Sequence, residues 1–148
     1  MHHPWVFPPV DDASFAAYLA RMSGDAHQGF FLRTDTDLVG VININNIVMG
    51  ALRSGYLGYY AFIGCEGRGL MSEGLRLVMA HAFGHLGMHR LEANIQPDNS
   101  PSLRLVEKAG FVKEGFSENY LLIGGQWRDH ERWAITSERF GAGGPQRS

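Results

Sequence analysis

The run Ile63-Gly64-Cys65-Glu66-Gly67-Arg68-Gly69-Leu70-Met71-Ser72 places three glycines between a strand-like stretch and a long helical one. A glycine-rich strand-to-helix turn frees backbone N–H groups to converge on one point, and the helix dipole adds positive potential there. The chemistry such a turn offers is anion binding, most often of phosphate. A Walker A loop is excluded, because Leu70 and Met71 stand where it needs Lys and Ser or Thr. A Rossmann fingerprint fits poorly, since Ser72 occupies the place of its third glycine and the turn lies too late in the chain. A phosphate cradle of another kind and a purely structural turn both stay open at this point.

A second constellation lies thirty residues on. Asn99, Ser102 and Val106 stand at i, i+3 and i+7 of one predicted helix, followed by Ala109-Gly110-Phe111. His81, His85 and His89 recur every four residues. Gly87 ends the predicted helix before His89, and no carboxylate accompanies the three, so no metal site is expected. The single cysteine, Cys65, excludes an internal disulfide framework and thiolate-rich metal sites. A reducing cytoplasm is the default compartment.

These residues must be positioned by a chain of 148 residues, the size of one domain, 45% hydrophobic and 19% charged. A net charge of −2 supplies no global attraction to nucleic acid or to an anionic membrane. The longest apolar runs are far shorter than the ~18 residues of a membrane span. The start, Met1 to Pro9, has no period and reads as extended or irregular. Asp11 or Asp12 then caps a predicted amphipathic helix carrying Phe15, Tyr18, Leu19 and Met22 at i, i+3, i+4 and i+7 and ending near Ser23-Gly24.

Strands are predicted over Phe30–Arg33, Leu38–Ile47 and Gly55–Ile63, the last with Gly58 in its middle, as beside a bulge or a ligand. In the second, Val39 and Val41 would share a face with Asn43 and Asn45, either a strand end emerging into solvent or two amides lining a cleft. Leu70–Leu86 carries an unbroken apolar stripe and is the strongest helix, with Gly87 just past its end. A strand follows at His89–Gln96, then a helix to Ala109 with Ser100 as N-cap and Pro101 at its first position. Phe111–Ile123 and Gln126–Ile135 form a hairpin about Gly124-Gly125. Residues 1–140 read as one α/β domain with mixed strand directions, and 141–148 as a disordered tail.

The chain resembles the GNAT superfamily of N-acetyltransferases, and within it the RimJ/RimL type of ribosomal-protein acetyltransferase. The resemblance rests on Leu38-Val-Gly-Val-Ile-Asn-Ile-Asn45, Tyr56-Leu-Gly-Tyr-Tyr60, Glu66-Gly-Arg-Gly-Leu-Met-Ser-Glu-Gly-Leu-Arg76, His89-Arg-Leu-Glu-Ala-Asn94, Gln96-Pro-Asp-Asn-Ser100, Glu107-Lys-Ala-Gly-Phe111 and Trp127-Arg-Asp-His130. Each stretch is moderately specific; in this order and spacing they are strong together. The turn departs from the family at Glu66, where Gln or Arg is usual.

The resemblance implies the GNAT fold, a mixed central sheet splayed between two parallel strands, Tyr56–Ile63 and His89–Gln96. It implies that acetyl-CoA lies in the splay. Tyr59, Tyr60 and Phe62 would line its arm, the amides of Gly67, Arg68, Gly69, Leu70 and Met71, with Ser72, would hold its pyrophosphate, and Asn99 and Ser102 would flank it. A backbone N–H near Tyr59 or Tyr60 would stabilise the oxyanion. Where many members carry a tyrosine as acid for the departing thiol, this chain has Val106; in the RimL-type pattern Ser102 takes that role. Glu92 stands where related enzymes carry a catalytic carboxylate, with water as the competing proton acceptor. The implied acceptor is a protein or peptide N-terminal amine, the rivals being a small amine or antibiotic, or a module that binds acyl-CoA without turnover. An N-terminal strand and helix shortened relative to the family would leave the acceptor wall incomplete or completed by a partner subunit, as in a homodimer.

Overall fold

A computed structural model of the chain describes residues 5–6, 18–23, 27–33, 38–61 and 69–143, the first two segments and residues 142–143 as backbone alone. Strands β1 (Trp5–Val6), β2 (Tyr18–Ser23), β3 (Gln28–Arg33), β4 (Leu38–Val48) and β5 (Ser54–Ala61) pair in sequence order as an antiparallel meander. β6 (Arg90–Ile95) lies parallel to β5. β8 (Gln126–Thr136) pairs antiparallel with β6, and β7 (Val112–Ile123) forms the far edge against β8. Helix α1 (Leu70–Ala80) continues as a π-helical turn (His81–His85); α2 is Ser100–Ala109 and α3 Ser137–Gly143.

Strand alternation puts Phe30, Leu32, Ile42, Ile44, Leu57, Leu91 and Ala93 on one face of the sheet. They close a core with Leu75, Val78 and Met79 of α1 and Val106 of α2. Each such aliphatic or aromatic side chain contributes about 1.5–3 kcal/mol on leaving water, and together they fix both helices over the β4–β5–β6 region. The opposite face carries Val41, Asn43 and Asn45 of β4, Tyr56 and Tyr60 of β5 and Glu92 of β6. The β7–β8 turn is Gly124-Gly125, at φ 60 and 82, both positions of a type I′ turn.

The helix expected before Ser23 is instead a strand over 18–23. Its backbone occupies the outer edge of β3, from Tyr18 opposite Arg33 to Ser23 opposite Gln28. Tyr18, Ala20 and Met22 also alternate with period two, and over so short a window the two periods cannot be told apart. Asp11, Asp12 and Phe15 lie outside the described residues, and Trp5–Val6, expected irregular, pairs with β2.

The faces of β4 also differ from expectation. Leu32 is opposite Gly40 while Arg33 is opposite Leu38, so a register shift there turns Val39 into the core with Ile42 and Ile44, away from Val41 and the two asparagines. Asn99, not Ser100, caps α2: its side chain accepts from the Ser102 N–H, with Pro101 within the first two positions, where no N–H is missed.

The α-helical part of the long helix stops at Ala80, and the Leu86 N–H reaches the His81 carbonyl (3.0 Å) through the π turn. The tail orders further than its composition suggests, because α3 runs through Gly143. Thr136 Oγ1 accepts from the Arg139 N–H (3.3 Å), His89 Nε2 pairs with Glu138 (2.8 Å) and the Phe140 ring lies tilted against Phe83 with centroids 5.4 Å apart. Residues 144–148 lie outside the described residues.

Candidate active site

β5 and β6 begin together and then part. The Arg53 carbonyl accepts from the N–H groups of His89 (2.7 Å) and Arg90 (3.1 Å), which pins the start of the pair. Parallel pairing then runs from Ser54 opposite Arg90 to Leu57 opposite Ala93. Beyond that, Gly58–Ala61 stay paired with β4, and Asn94 and Ile95 with β8, without pairing to one another. The result is a V-shaped opening in the sheet, along whose inner edges β5 and β6 no longer pair with each other. An extended chain carrying amides fits such an opening as an added strand would.

The N-terminus of α2 stands over this opening. Asn99 Oδ1 accepts from Ser102 N–H (3.3 Å), and the Asn99 N–H donates to the Gln96 carbonyl (3.0 Å), so one side chain fixes both the loop and the start of the helix. Asn99→Ala is expected to cost about 1 kcal/mol, the usual loss of an N-cap, read as a lower thermal midpoint together with slower turnover.

Tyr59 comes from the β5 side of the opening. It lies on the core face with Leu57, and its hydroxyl is 2.6 Å from Ser102 Oγ and 3.3 Å from the Ser102 carbonyl, to which it donates. Burial pushes the Tyr59 phenol above its ordinary pKa, and the hydrogen bond with Ser102 pulls the other way. Its partner Tyr60 points to the opposite face and is exposed. Val106 is fully buried in the core, with no proton to give.

The strand-to-helix turn ends at Gly69, at φ 74, a backbone conformation that favours glycine. The N–H groups of Leu70, Met71 and Ser72 open α1 with no side-chain cap. That first turn has the donors an anion needs. Phe62, Gly67 and Arg68 lie outside the described residues.

Glu92 projects from the sheet face opposite Ser102. Its Oε2 accepts from Arg90 Nε at 2.9 Å, and Arg90 also forks onto Glu114 of β7 (2.5 and 3.2 Å). At the far end of the hairpin an open cavity of about 360 Å³ lies between Gln96, Asp98, Asn119, Trp127 and Asp129. His81 and His85 stack on one another at 4.8 Å. Among the described residues, no three His, Cys, Asp or Glu side chains come together as a metal would need.

The sequence matches the model of the acetyltransferase (GNAT) domain over residues 1–112. The chain belongs to the GNAT acetyltransferase family. It is 40% identical over 120 residues to a probable N-acetyltransferase, YjcK, of Bacillus subtilis (80% of this chain, 66% of the relative). It is 39% identical over 109 residues to the [ribosomal protein uS5]-alanine N-acetyltransferase of Escherichia coli (74% and 56%). The solved structure of Mycobacterium smegmatis RimJ in complex with CoA-disulfide superposes with a TM-score of 0.74 at 34% identity, covering 79% of this chain and 60% of that one. The chain thus spans just under two thirds, or about half, of the length of these curated relatives.

Within this GNAT domain, the splay and the starts of α1 and α2 expected from the sequence come together on one side of the sheet. Glu92 is held on the other, and the Arg90 bridge that binds it was not foreseen. The Tyr59 side chain was also missed as the partner of Ser102. The signal was present: alternation from Leu57 puts Tyr59 on the core face, where a phenol must find a hydrogen-bond partner.

The Arg90 fork sets a pH dependence. Arg90 holds the Glu114 carboxyl below its usual range, and Glu114 in turn raises the Arg90 guanidinium. A carboxyl depressed by folding stabilises above its unfolded pKa and loses that contribution as pH falls through its folded one. Glu114 is partly exposed, so screening keeps this under about 1 kcal/mol. Glu114→Gln is expected to lower the thermal midpoint slightly at pH 7, by an amount that shrinks as pH falls through the folded pKa of the carboxyl, as followed by calorimetry.

Proposed function

We propose that the protein transfers an acetyl group from acetyl-CoA to the N-terminal α-amine of a protein or peptide, with ribosomal proteins as the favoured class. The observation that carries this reading is the 39% identity to the E. coli uS5-alanine enzyme across the stretch that builds the splay and the α2 cap. Acetyl-CoA supplies the activated acetyl thioester. Residues 67–71, of which Gly69–Met71 are described above, would hold its pyrophosphate with Ser72 alongside. Phe62, Tyr59 and Tyr60 would border its arm, and a backbone N–H near Tyr59 or Tyr60 would face the developing oxyanion.

Ser102 serves as the proton donor to the departing sulfur. A thiol of pKa about 8.5 leaves readily, so a neutral hydroxyl suffices. An α-amine has a pKa of about 7.7–8.0, so much of it is already neutral at working pH. Water can then take its proton, with Glu92 as the alternative acceptor. A cytoplasmic setting accords with the single cysteine.

The test is incubation with acetyl-CoA and a mixed pool of free-N-terminus peptides, lysine-only peptides, polyamines and aminoglycosides, read by mass spectrometry. Acetylation confined to peptide α-amines is the expected result. Products only on polyamines or aminoglycosides would replace this reading with small-amine transfer. Binding of acetyl-CoA with no product at all would replace it with a non-catalytic module.

A further inference from the structure

We propose that Tyr59 is a positioning residue for departure of the thiol, its phenol aiming the Ser102 hydroxyl hydrogen into the splay. This rests on the reading of Ser102 as the proton donor. The geometry is specific. The Tyr59 hydroxyl is 2.6 Å from Ser102 Oγ, a contact in which either oxygen can donate, and 3.3 Å from the Ser102 carbonyl oxygen, toward which the phenol can only donate. The phenol has one hydrogen, and shared between these two acceptors in a three-centre bond it leaves the serine Oγ as acceptor and the serine's own hydrogen free to point elsewhere. The reverse arrangement would spend that hydrogen on Tyr59 and leave nothing for the sulfur. Burial keeps the phenol protonated through neutral and moderately alkaline pH, so it remains a donor while the enzyme works.

The two residues are held by separate elements, Tyr59 by the β5 edge and Ser102 by the Asn99-capped turn of α2. Their contact therefore ties the β5 edge of the opening to the start of α2. In the reaction, the amine nitrogen bonds to the acetyl carbon and sheds a proton to water. The carbon–sulfur bond breaks with its electron pair on sulfur. Ser102 Oγ gives its proton to that sulfur and regains one from water. As negative charge gathers on Oγ, the hydrogen bond from Tyr59 strengthens.

Tyr59→Phe keeps the ring in the core and removes only the donor. The expected result is a kcat about tenfold lower, with the acetyl-CoA Kd by calorimetric titration within twofold of the parent. Added to Ser102→Ala, the same change should cost nothing further, because its target is gone. Full turnover in Tyr59→Phe, or an equal loss in the Ser102→Ala background, overturns the proposal. If Ser102→Ala itself turns over normally, the reading of Ser102 fails and this inference with it.

Discussion

Ser102→Ala is expected to lower kcat about 100-fold while leaving acetyl-CoA affinity within twofold. General acid catalysis by a placed side chain is worth roughly 10²–10⁴, and the low end applies because a thiol leaves more easily than an alcohol or an amine. The substitution removes one oxygen, and the α2 start is held by Asn99 through the Ser102 backbone N–H, which alanine keeps. The helix should stay where it is. Steady-state kinetics beside calorimetric titration of acetyl-CoA separate the two quantities. Unchanged turnover would take Ser102 out of the chemistry, and a large loss of affinity would make it a binding residue.

The largest expected stability effect lies at Gly40, away from the chemistry but beside it in the sheet. A Cβ there would stand 2.5 Å from the Tyr60 carbonyl oxygen, 2.9 Å from Met71 Sδ and 3.2 Å from Ala61 Cα. The sulfur can swing aside, but the other two atoms are backbone of β5 and cannot. Gly40→Ala must therefore push β4 from β5 at the register shift where Val39 enters the core. Overpacking of this kind costs about 3 kcal/mol, which at this chain length lowers the thermal midpoint by roughly 6–12 °C. It should also slow acetyl transfer, since Tyr59 and Tyr60 move with the strand. A midpoint within about 2 °C of the parent would show that β5 yields more easily than its pairing with β4 implies.

What could be read from the chain divides along physical lines. α2 was legible because an amide-bearing cap candidate, a proline in the first turn and an apolar stripe all agree on one start; only the choice between two adjacent capping residues was missed. The β7–β8 hairpin was legible because two consecutive glycines leave few other conformations. β2 was not, since its ordering comes from the open edge of β3, a partner that a local window cannot see. The inward turn of Val39 depends on a pairing shift against Leu32 and Arg33, and α3 on contacts to His89 and Phe83 far away in sequence. In the site, resemblance pointed to Ser102, but its hydrogen bond to Tyr59 is a tertiary fact joining residues 43 apart. Glu92 reads in sequence as a free carboxylate and stands in the structure as one end of a charged bridge.

The four-residue pairing of β5 with β6 also bears on how the chain reaches this state. β2 to β5 close on neighbours through short connections, and β7 folds back on β8 about two glycines, so each part can form from local collisions. Among the described residues the two parts of the sheet pair where Ser54 to Leu57 meet Arg90 to Ala93, residues 36 apart in sequence. Joining them requires closure of the long loop that contains α1, an entropic cost met by few ladder bonds. The rate-limiting collision is therefore expected to be the docking of the two half-sheets, with α1 as the clamp.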